Sequence, residues 1–359
     1  MFSVFPQRLR VYHRFQQLLP ILLLVCASGC AWHQPTLPIA FRTAQTLDGR
    51  TLPAQRDYWT AFRTPSKFNA TGLYLLEPYQ PGRIPLVMIH GLASDALTWD
   101  EMITALRSNP NLAARYQIWV YQYPTGNSYL KAAADLRKEL QLTRGVLDPA
   151  SSDQAFDQMV LVGHSMGGII ARLLVSYSDD RLWHAVSDKP LSEVFESGPL
   201  PDEIVSAFLF EPVPFVKKVV YLATPHHGSN WSEMPLGKFG RWLIDVPQQL
   251  QDEYVALIQG NPGLIRNPAR QPATSIDHLS PRHRIMQATS QLRGTDLVSA
   301  HSIVGVGFLL PDAHWGDGVV AIPSARIPCV QSEFFVPATH SGILRNREVA
   351  AELMCILMR

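Results

Sequence analysis

The segment Val160–Ile170, with the sequence VLVGHSMGGII, decides the fold. Its first three residues are aliphatic and predict a buried strand, and a helical pattern follows the glycines as far as Tyr177. Between these two elements, Ser165 is flanked by Gly163 and Gly167. A serine in so sharp a turn has a strained backbone, and side chains at the flanking positions would clash. The pattern therefore predicts a serine hydroxyl raised above a sheet, near a helix N-terminus that favours negative charge.

Short apolar runs alternate with helical patterns along the rest of the chain, which predicts an α/β fold with a mostly parallel sheet covered on both faces. The candidate strands are Gly72–Leu76, Ile84–Ile89, Ile118–Tyr123, Met159–Val162, Val216–Leu222, Ser302–Gly307 and Glu333–Val336. The clearest helices are Tyr129–Thr143, Met166–Tyr177 and Arg347–Met358. Two interruptions, at residues 178–214 and 229–299, are expected to be cap or lid insertions.

The second interruption contains apolar residues at partly helical spacing between Trp231 and Gly263. A mobile lid over an acyl site and a plain packing helix explain this pattern equally well.

A turn one strand earlier in the chain is the expected source of an oxyanion donor. The segment Pro85–Leu92 has the sequence PLVMIHGL, in which a strand ends at His90-Gly91. Gly91 permits close approach of the backbone, and the N–H of Leu92 is the expected donor. A second donor is expected from the N–H of Met166, directly after Ser165.

A serine becomes an effective nucleophile when a histidine takes its proton and a carboxylate orients that histidine. His340 follows the last predicted strand, and Asp317 lies in an Asp-Gly turn that would fix a carboxylate. We therefore expect His340 as the base and Asp317 as the acid. The competing residues are His301 and His314 for the base, and Asp312 and Asp296 for the acid.

Five motifs together resemble the α/β-hydrolase superfamily in its lipase/esterase branch, which includes bacterial lipases and inositol-deacylase-like hydrolases. They are His90-Gly91, Gly163–Gly168 (GHSMGG), Ala223–Ser229 (ATPHHGS), Asp317–Val320 (DGVV) and His340-Ser341. The resemblance covers Thr71 to the C-terminus. It implies the α/β-hydrolase fold, with Ser165 as nucleophile, Asp317 as acid, His340 as base, and an oxyanion hole at Leu92 and Met166.

The resulting prediction is a serine hydrolase that cleaves carboxylic esters through an acyl-enzyme and needs no cofactor. Acyl transfer or amide hydrolysis by the same triad is an alternative, because neither fold nor triad selects the acceptor. Another alternative is a non-catalytic module that binds a lipid or an envelope partner. The near balance of 31 basic and 30 acidic residues argues against a nucleic-acid partner.

A metal site is not expected at His226-His227. Adjacent histidines on an extended segment point to opposite sides and do not easily share one ion. Tight-turn packing beside the active site is the favoured explanation of this pair.

The N-terminal segment 1–29 is predicted to be an export signal. It has a basic beginning without acidic residues, a short apolar run at Leu18–Ala27, and small residues before Cys30. The stretch Ala27–Cys30 (ASGC) resembles the lipobox of bacterial lipoproteins, which implies lipidation of Cys30. Ala31, rather than Asp, resembles the pattern sorted to the outer membrane. We therefore expect a lipid-anchored protein of the bacterial cell envelope, with a tether and an irregular segment packed on the main domain at residues 30–67, and the hydrolase domain at residues 68–359.

The remaining cysteines form a candidate disulfide. Cys26 leaves with the signal and Cys30 takes the lipid, so Cys329 and Cys355 are the only pair left in an oxidising envelope. Cys329 precedes the last strand, and Cys355 is near the end of the helix that runs back along it. The pair is therefore expected at one end of the sheet, where a disulfide and two free thiols are equally compatible with the sequence.

Overall fold

A seven-stranded sheet forms the centre of the protein in a computed structural model. The structure describes residues 37–54, 56–190, 201–233, 272–310 and 314–359, together with single residues between 193 and 265. The sheet strands are β1 Gly72–Leu75, β2 Ile84–Ile89, β3 Tyr116–Gln122, β4 Met159–His164, β6 Val216–Leu222, β8 Ser299–Val306 and β11 Ser332–Pro337. Their order across the sheet is β1-β3-β2-β4-β6-β8-β11. Two short ribbons pair β5 Ser176–Tyr177 with β7 Arg293–Gly294, and β9 Phe308–Leu309 with β10 Trp315–Gly316.

Strand direction places the functional segments at one edge of the sheet. Strand β1 is antiparallel to β3, and every other neighbouring pair in the sheet is parallel. The carboxyl ends of β2, β4, β6, β8 and β11 therefore meet at the same edge, which is where ligands bind in such sheets. His90-Gly91 follows β2, Ser165 follows β4 and His340 follows β11.

Helices cover both faces of the sheet because side chains on a strand alternate between its two faces. Val87 and Ile89 of β2 lie in a buried cluster with the helices Tyr129–Leu147, Met166–Leu174 and Arg284–Ser290. Leu86 and Met88 lie in a second cluster with the helices Asp100–Arg107, Pro110–Arg115 and Arg347–Met358. The helices are α1 Tyr58–Arg63, α2 Asp100–Arg107, α3 Pro110–Arg115, α4 Tyr129–Leu147, α5 Met166–Leu174, α6 Arg181–Val186, α7 Asp202–Phe208, α8 Ser275–His278, α9 Arg284–Ser290, α10 Ile322–Ala325 and α11 Arg347–Met358.

The architecture confirms the predicted mostly parallel sheet with helices on both faces. All seven predicted strands are present, and their ends differ from the prediction by at most three residues. The helix predicted for Met166–Tyr177 was wrong at its end: it stops at Leu174, because Ser176–Tyr177 form β5 and pair with β7. That pairing partner lies in the distant 229–299 segment, so local periodicity does not reveal it.

The predicted insertions are described in part. The first contains α6 and α7, and the C-terminal part of the second contains α8, α9 and β7. The apolar segment between Trp231 and Gly263, for which the sequence leaves a lid and a packing helix equally open, lies almost entirely outside the described residues. Within the described part of the second insertion, residues 272–299 pack back onto the sheet through Ile285 and Met286.

The segment before β1 packs onto the same domain. Phe41 and Leu52 are buried in the cluster that includes α2 and α11. Residues 1–36, which include the predicted signal, Cys26 and the predicted lipidation site Cys30, lie outside the described residues. Over the part of the chain that the structure describes, no helix is both long and apolar enough to cross a membrane.

Candidate active site

Ser165 occupies the sharp turn between β4 and α5. Its φ of 54° and ψ of −124° are unusual for a residue with a side chain, and it caps the N-terminus of α5. The backbone passes so close to β2 that a Cβ at Gly167 would overlap the carbonyl oxygens of Ile89 and His90. Tight packing against the neighbouring strand therefore holds the serine in its strained conformation.

The turn after β2 lies directly beside Ser165. A Cβ added at Gly91 would be 3.0 Å from both the Cβ of Ser165 and the Nδ1 of His164. The hydroxyl of Thr125 accepts the N–H of Ala93 at 3.2 Å and fixes the turn. Among the described residues, neither the N–H of Leu92 nor that of Met166 has a hydrogen-bond acceptor. Both are thus free to bind an oxyanion, as the sequence predicts.

A hydrogen-bonded chain connects Ser165, His340 and Asp317. The Nδ1 of His340 donates to Oδ2 of Asp317 at 2.7 Å, because a carboxylate only accepts. In the neutral ring the Nε2 is then an acceptor, and the Oγ of Ser165 donates to it at 2.8 Å. The structure brings together the three residues that the sequence singles out, in an arrangement that can draw the proton from a serine hydroxyl.

The Asp317 carboxylate is buried, with 2% of the residue exposed. Its Oδ1 accepts the backbone N–H of Val319 at 2.9 Å and that of Val320 at 2.7 Å. Its backbone carbonyl accepts the N–H of His340 at 2.9 Å. The Asp-Gly turn therefore fixes both the carboxylate and the backbone of the histidine.

The competing candidates lie elsewhere or cannot be placed. His301 is buried near the amino end of β8, where its Nδ1 bonds to the hydroxyl of Ser332 at 2.7 Å. Asp296 is exposed in the turn before β8, and His314 is exposed just before β10. Asp312 lies outside the described residues.

The two histidines that follow β6, His226 and His227, lie in different surroundings. His226 is buried beside the ring of Tyr221, with ring centroids 4.6 Å apart, whereas His227 is exposed. Within the described residues, no group of three or more His, Cys, Asp or Glu side chains is arranged to hold a metal ion.

The candidate disulfide is not formed. Cys329 and Cys355 are free and exposed in the structure. Cys329 lies in a turn with φ of 65°, and Cys355 lies on the exposed side of α11, next to the buried Ile356. Two cysteines expected at the same end of a sheet need not form a disulfide, because the bond requires two Cα atoms about 4.4–6.8 Å apart with converging Cβ vectors.

An apolar cluster packs against the side chain of Leu92, in the turn beside Ser165. The partly buried side chain of Leu92 packs against Phe62, Ile244 and Ile276, which are buried. Helix α1 brings Phe62 to this position, and the carbonyl of Ala61 accepts the N–H of Gly126 at 3.0 Å. The sequence pattern does not reveal this role of Phe62, since the contact joins segments far apart in the chain.

Two buried histidines line the turns on either side of Ser165. His90 donates from Nδ1 to the carbonyl of Gly91 at 3.0 Å and stacks on Tyr123, with centroids 4.4 Å apart. Burial lowers the pKa of His90 to about 4. Burial, together with the nearby His340 ring, lowers the pKa of His164 to about 3. Both rings therefore stay neutral over the physiological range.

Stability is expected to fall as the pH is lowered from about 6.5 to about 4. Burial also lowers the pKa of His278 to about 3. In this interval the unfolded chain, with histidine pKa values near 6.5, binds protons that buried His90, His164 and His278 do not, so acid favours unfolding. A shift of the size seen at His90 is worth about 3 kcal/mol. Urea unfolding at a series of pH values measures this, and equal stability at pH values near 5 and 8 would contradict it.

A model of the alpha/beta hydrolase family matches residues 86–352. The chain belongs to this family. The matched region begins within β2 and ends within α11, so it includes the Gly91 turn, Ser165, Asp317 and His340. Helix α1 and Phe62 lie before it.

Among solved structures, the chain is similar to a lipase of Staphylococcus hyicus, with 15% identity and a TM-score of 0.47 over 79% of this chain and 95% of that one. It is also similar to the mature form of the Bacillus licheniformis lipase BlEst2, with 16% identity and a TM-score of 0.46 over 78% and 94% of the two chains. A comparison with curated protein sequences finds no match.

Proposed function

We propose that this protein is a serine hydrolase that cleaves carboxylic esters. The observation that carries the proposal is the continuous hydrogen-bonded chain from Asp317 through His340 to Ser165, with links of 2.7 and 2.8 Å. It lies at the edge of the sheet where two free backbone N–H groups, from Leu92 and Met166, adjoin the serine. The site therefore has a candidate for each group that acyl transfer needs, which are a nucleophile, a base, an acid and two oxyanion donors.

In the proposed reaction, Oγ of Ser165 attacks the ester carbonyl carbon while its proton passes to Nε2 of His340. The N–H groups of Leu92 and Met166 stabilise the oxyanion that develops. The carbon–oxygen bond to the alcohol then breaks, and His340 returns the proton to the leaving alkoxide. A water molecule, deprotonated by Nε2 of His340, then attacks the acyl carbon. The bond from that carbon to Oγ of Ser165 breaks, Oγ takes the proton back from His340, and the carboxylic acid leaves.

The cluster beside the oxyanion turn supports esters with an apolar acyl group. Phe62, Ile276 and Ile244 pack against the side chain of Leu92, the residue whose N–H is the expected oxyanion donor. An acyl chain whose carbonyl oxygen points at the Leu92 N–H would find apolar side chains close by, and burying its methylene groups is favourable.

Nitrophenyl esters from acetate to palmitate test the proposal directly. We expect hydrolysis that depends on Ser165, with a preference that identifies the acyl length the site accepts. Failure of folded protein to cleave any of these esters would contradict the proposal. Cleavage of the acetate ester alone would contradict its apolar-acyl part.

Replacing Phe62 with alanine is expected to change the acyl preference. Truncation of a buried Phe leaves a cavity beside Leu92 and costs about 3–5 kcal/mol of stability. We expect the preferred acyl chain to become longer. Phe68→Ala is the matched control, since Phe68 is also buried but packs against Ala61 and Ala70, away from Leu92. An unchanged chain-length profile in Phe62→Ala, or the same change in both variants, would contradict the prediction.

We also propose that the protein is exported and held at a bacterial membrane by lipid on Cys30. The support is the sequence of residues 1–31 alone. Mass analysis of the mature N-terminus tests it: the expected product begins at a lipidated Cys30, and the Cys30→Ala variant would be released from the membrane fraction. An unmodified Cys30 terminus would contradict the proposal.

A further inference from the structure

His164, the residue before Ser165, reaches across the site to the loop that carries His340. Its ring is buried, with 6% of the residue exposed. The Nε2 lies 2.8 Å from the backbone carbonyl oxygen of His340, 176 residues later in the chain. The two imidazole rings are adjacent, with centroids 5.0 Å apart.

The hydrogen bond determines which nitrogen of His164 carries the proton. A carbonyl oxygen only accepts, so Nε2 is the donor and Nδ1 is unprotonated in the neutral ring. The Nδ1 faces the Gly91 turn, where an added Cβ would lie 3.0 Å away. The ring is therefore enclosed between the oxyanion turn and the His340 loop, and it stays neutral at working pH.

His164 completes the fixation of the His340 backbone. The N–H of His340 donates to the carbonyl of Asp317 at 2.9 Å, and its carbonyl accepts from His164 at 2.8 Å. Because His164 is covalently joined to Ser165, its bond ties the nucleophile's turn directly to the base's loop. The separation between Oγ and Nε2, 2.8 Å here, depends on how these two segments are held relative to each other.

We infer that His164 is a positioning residue, whose Nε2–H holds His340 at the correct distance from Ser165 through the backbone carbonyl of His340. The inference rests on the proposed function for the reaction that it serves. It assigns a role to the variable position within the G-x-S-x-G motif of this chain. A neutral donor is also the suitable one here, because a permanent cation at this position would oppose the positive charge that His340 acquires when it takes the serine proton.

Three substitutions test the inference. The amide nitrogen of His164→Gln falls near the position of Nε2, whereas that of His164→Asn falls near Nδ1, on the Gly91 side. His164→Phe keeps a ring but has no donor. We expect kcat to fall about 10- to 100-fold in the Asn and Phe variants, since a small misplacement of a reacting group costs this much. We expect KM to change little and the Gln variant to recover most of kcat.

The Gln and Asn variants separate positioning from general packing, because both alter the buried volume and only one restores the donor. Equal losses of kcat in Gln and Asn, or an unchanged kcat in Phe, would overturn the inference. Fluorophosphonate labelling rates at Ser165 give the same comparison without an ester substrate. Labelled wild-type protein that cleaves no ester would therefore count against the proposed function, while the labelling rates of the variants would still decide the role of His164.

Discussion

Replacing Asp317 with asparagine is expected to lower kcat about 10⁴-fold. The backbone N–H groups of Val319 and Val320 both point at Oδ1, so the new NH₂ group cannot take that position without opposing them. It must face His340 instead, where it donates to Nδ1 and drives the ring proton onto Nε2. The ring then has no free nitrogen to accept the proton of Ser165. Initial rates on the preferred nitrophenyl ester give the measurement.

Asp312→Asn is the control for this prediction, since Asp312 is the other acidic residue of the same loop that the sequence leaves open as the acid. We expect its kcat to stay within a few-fold of the wild type. A large loss in Asp312→Asn with a small loss in Asp317→Asn would reverse the assignment. Equal thermal stability of the two variants would exclude unfolding as the cause.

Ser165→Ala is expected to reduce kcat about 10⁶-fold, because among the described residues no other hydroxyl is hydrogen-bonded to Nε2 of His340. The substitution removes one atom and leaves the turn intact, so the fold should be retained. Ser341→Ala provides a matched control: Ser341 follows His340 directly and is exposed, and its loss should leave kcat nearly unchanged. Residual hydrolysis by Ser165→Ala above a few per cent of wild type would assign the nucleophile elsewhere.

The fold is largely predictable from the sequence because strands β1 to β4 are buried on both faces. The strand Ile84–Ile89 is a continuous apolar run with defined ends and occurs as predicted. Val216–Leu222 also has the predicted ends, although Lys217 and Lys218 interrupt its apolar run. The Ser165 turn is equally visible, because its geometry requires glycine at fixed positions. By contrast, a strand pair formed by distant segments cannot be predicted from the local sequence pattern, as the pairing of β5 with β7 shows.

The candidate active site shows the same difference between residues that local motifs indicate and contacts between distant segments. Ser165, Asp317 and His340 follow from motifs and from their order in the chain, and the structure places them in contact. The sequence gives no signal for the partner of His164, because that partner is a backbone carbonyl, which every residue has. Phe62 was likewise unrecognised, since it lies in a segment of weak periodicity before the first strand. Of the two states that the sequence leaves open for Cys329 and Cys355, the structure has the free thiols. The sequence does not distinguish them, because position along a sheet does not determine the distance between two side chains.

The proposed function depends on Ser165 being an activated nucleophile, and covalent labelling tests this most directly. A fluorophosphonate should react with folded wild-type protein in a one-to-one ratio, forming a phosphorus–oxygen bond at Oγ with loss of fluoride. Peptide mapping should place the adduct on Ser165, and Ser165→Ala should remain unlabelled. Folded wild-type protein that takes up no label, or an adduct that persists in Ser165→Ala, would contradict the proposed mechanism.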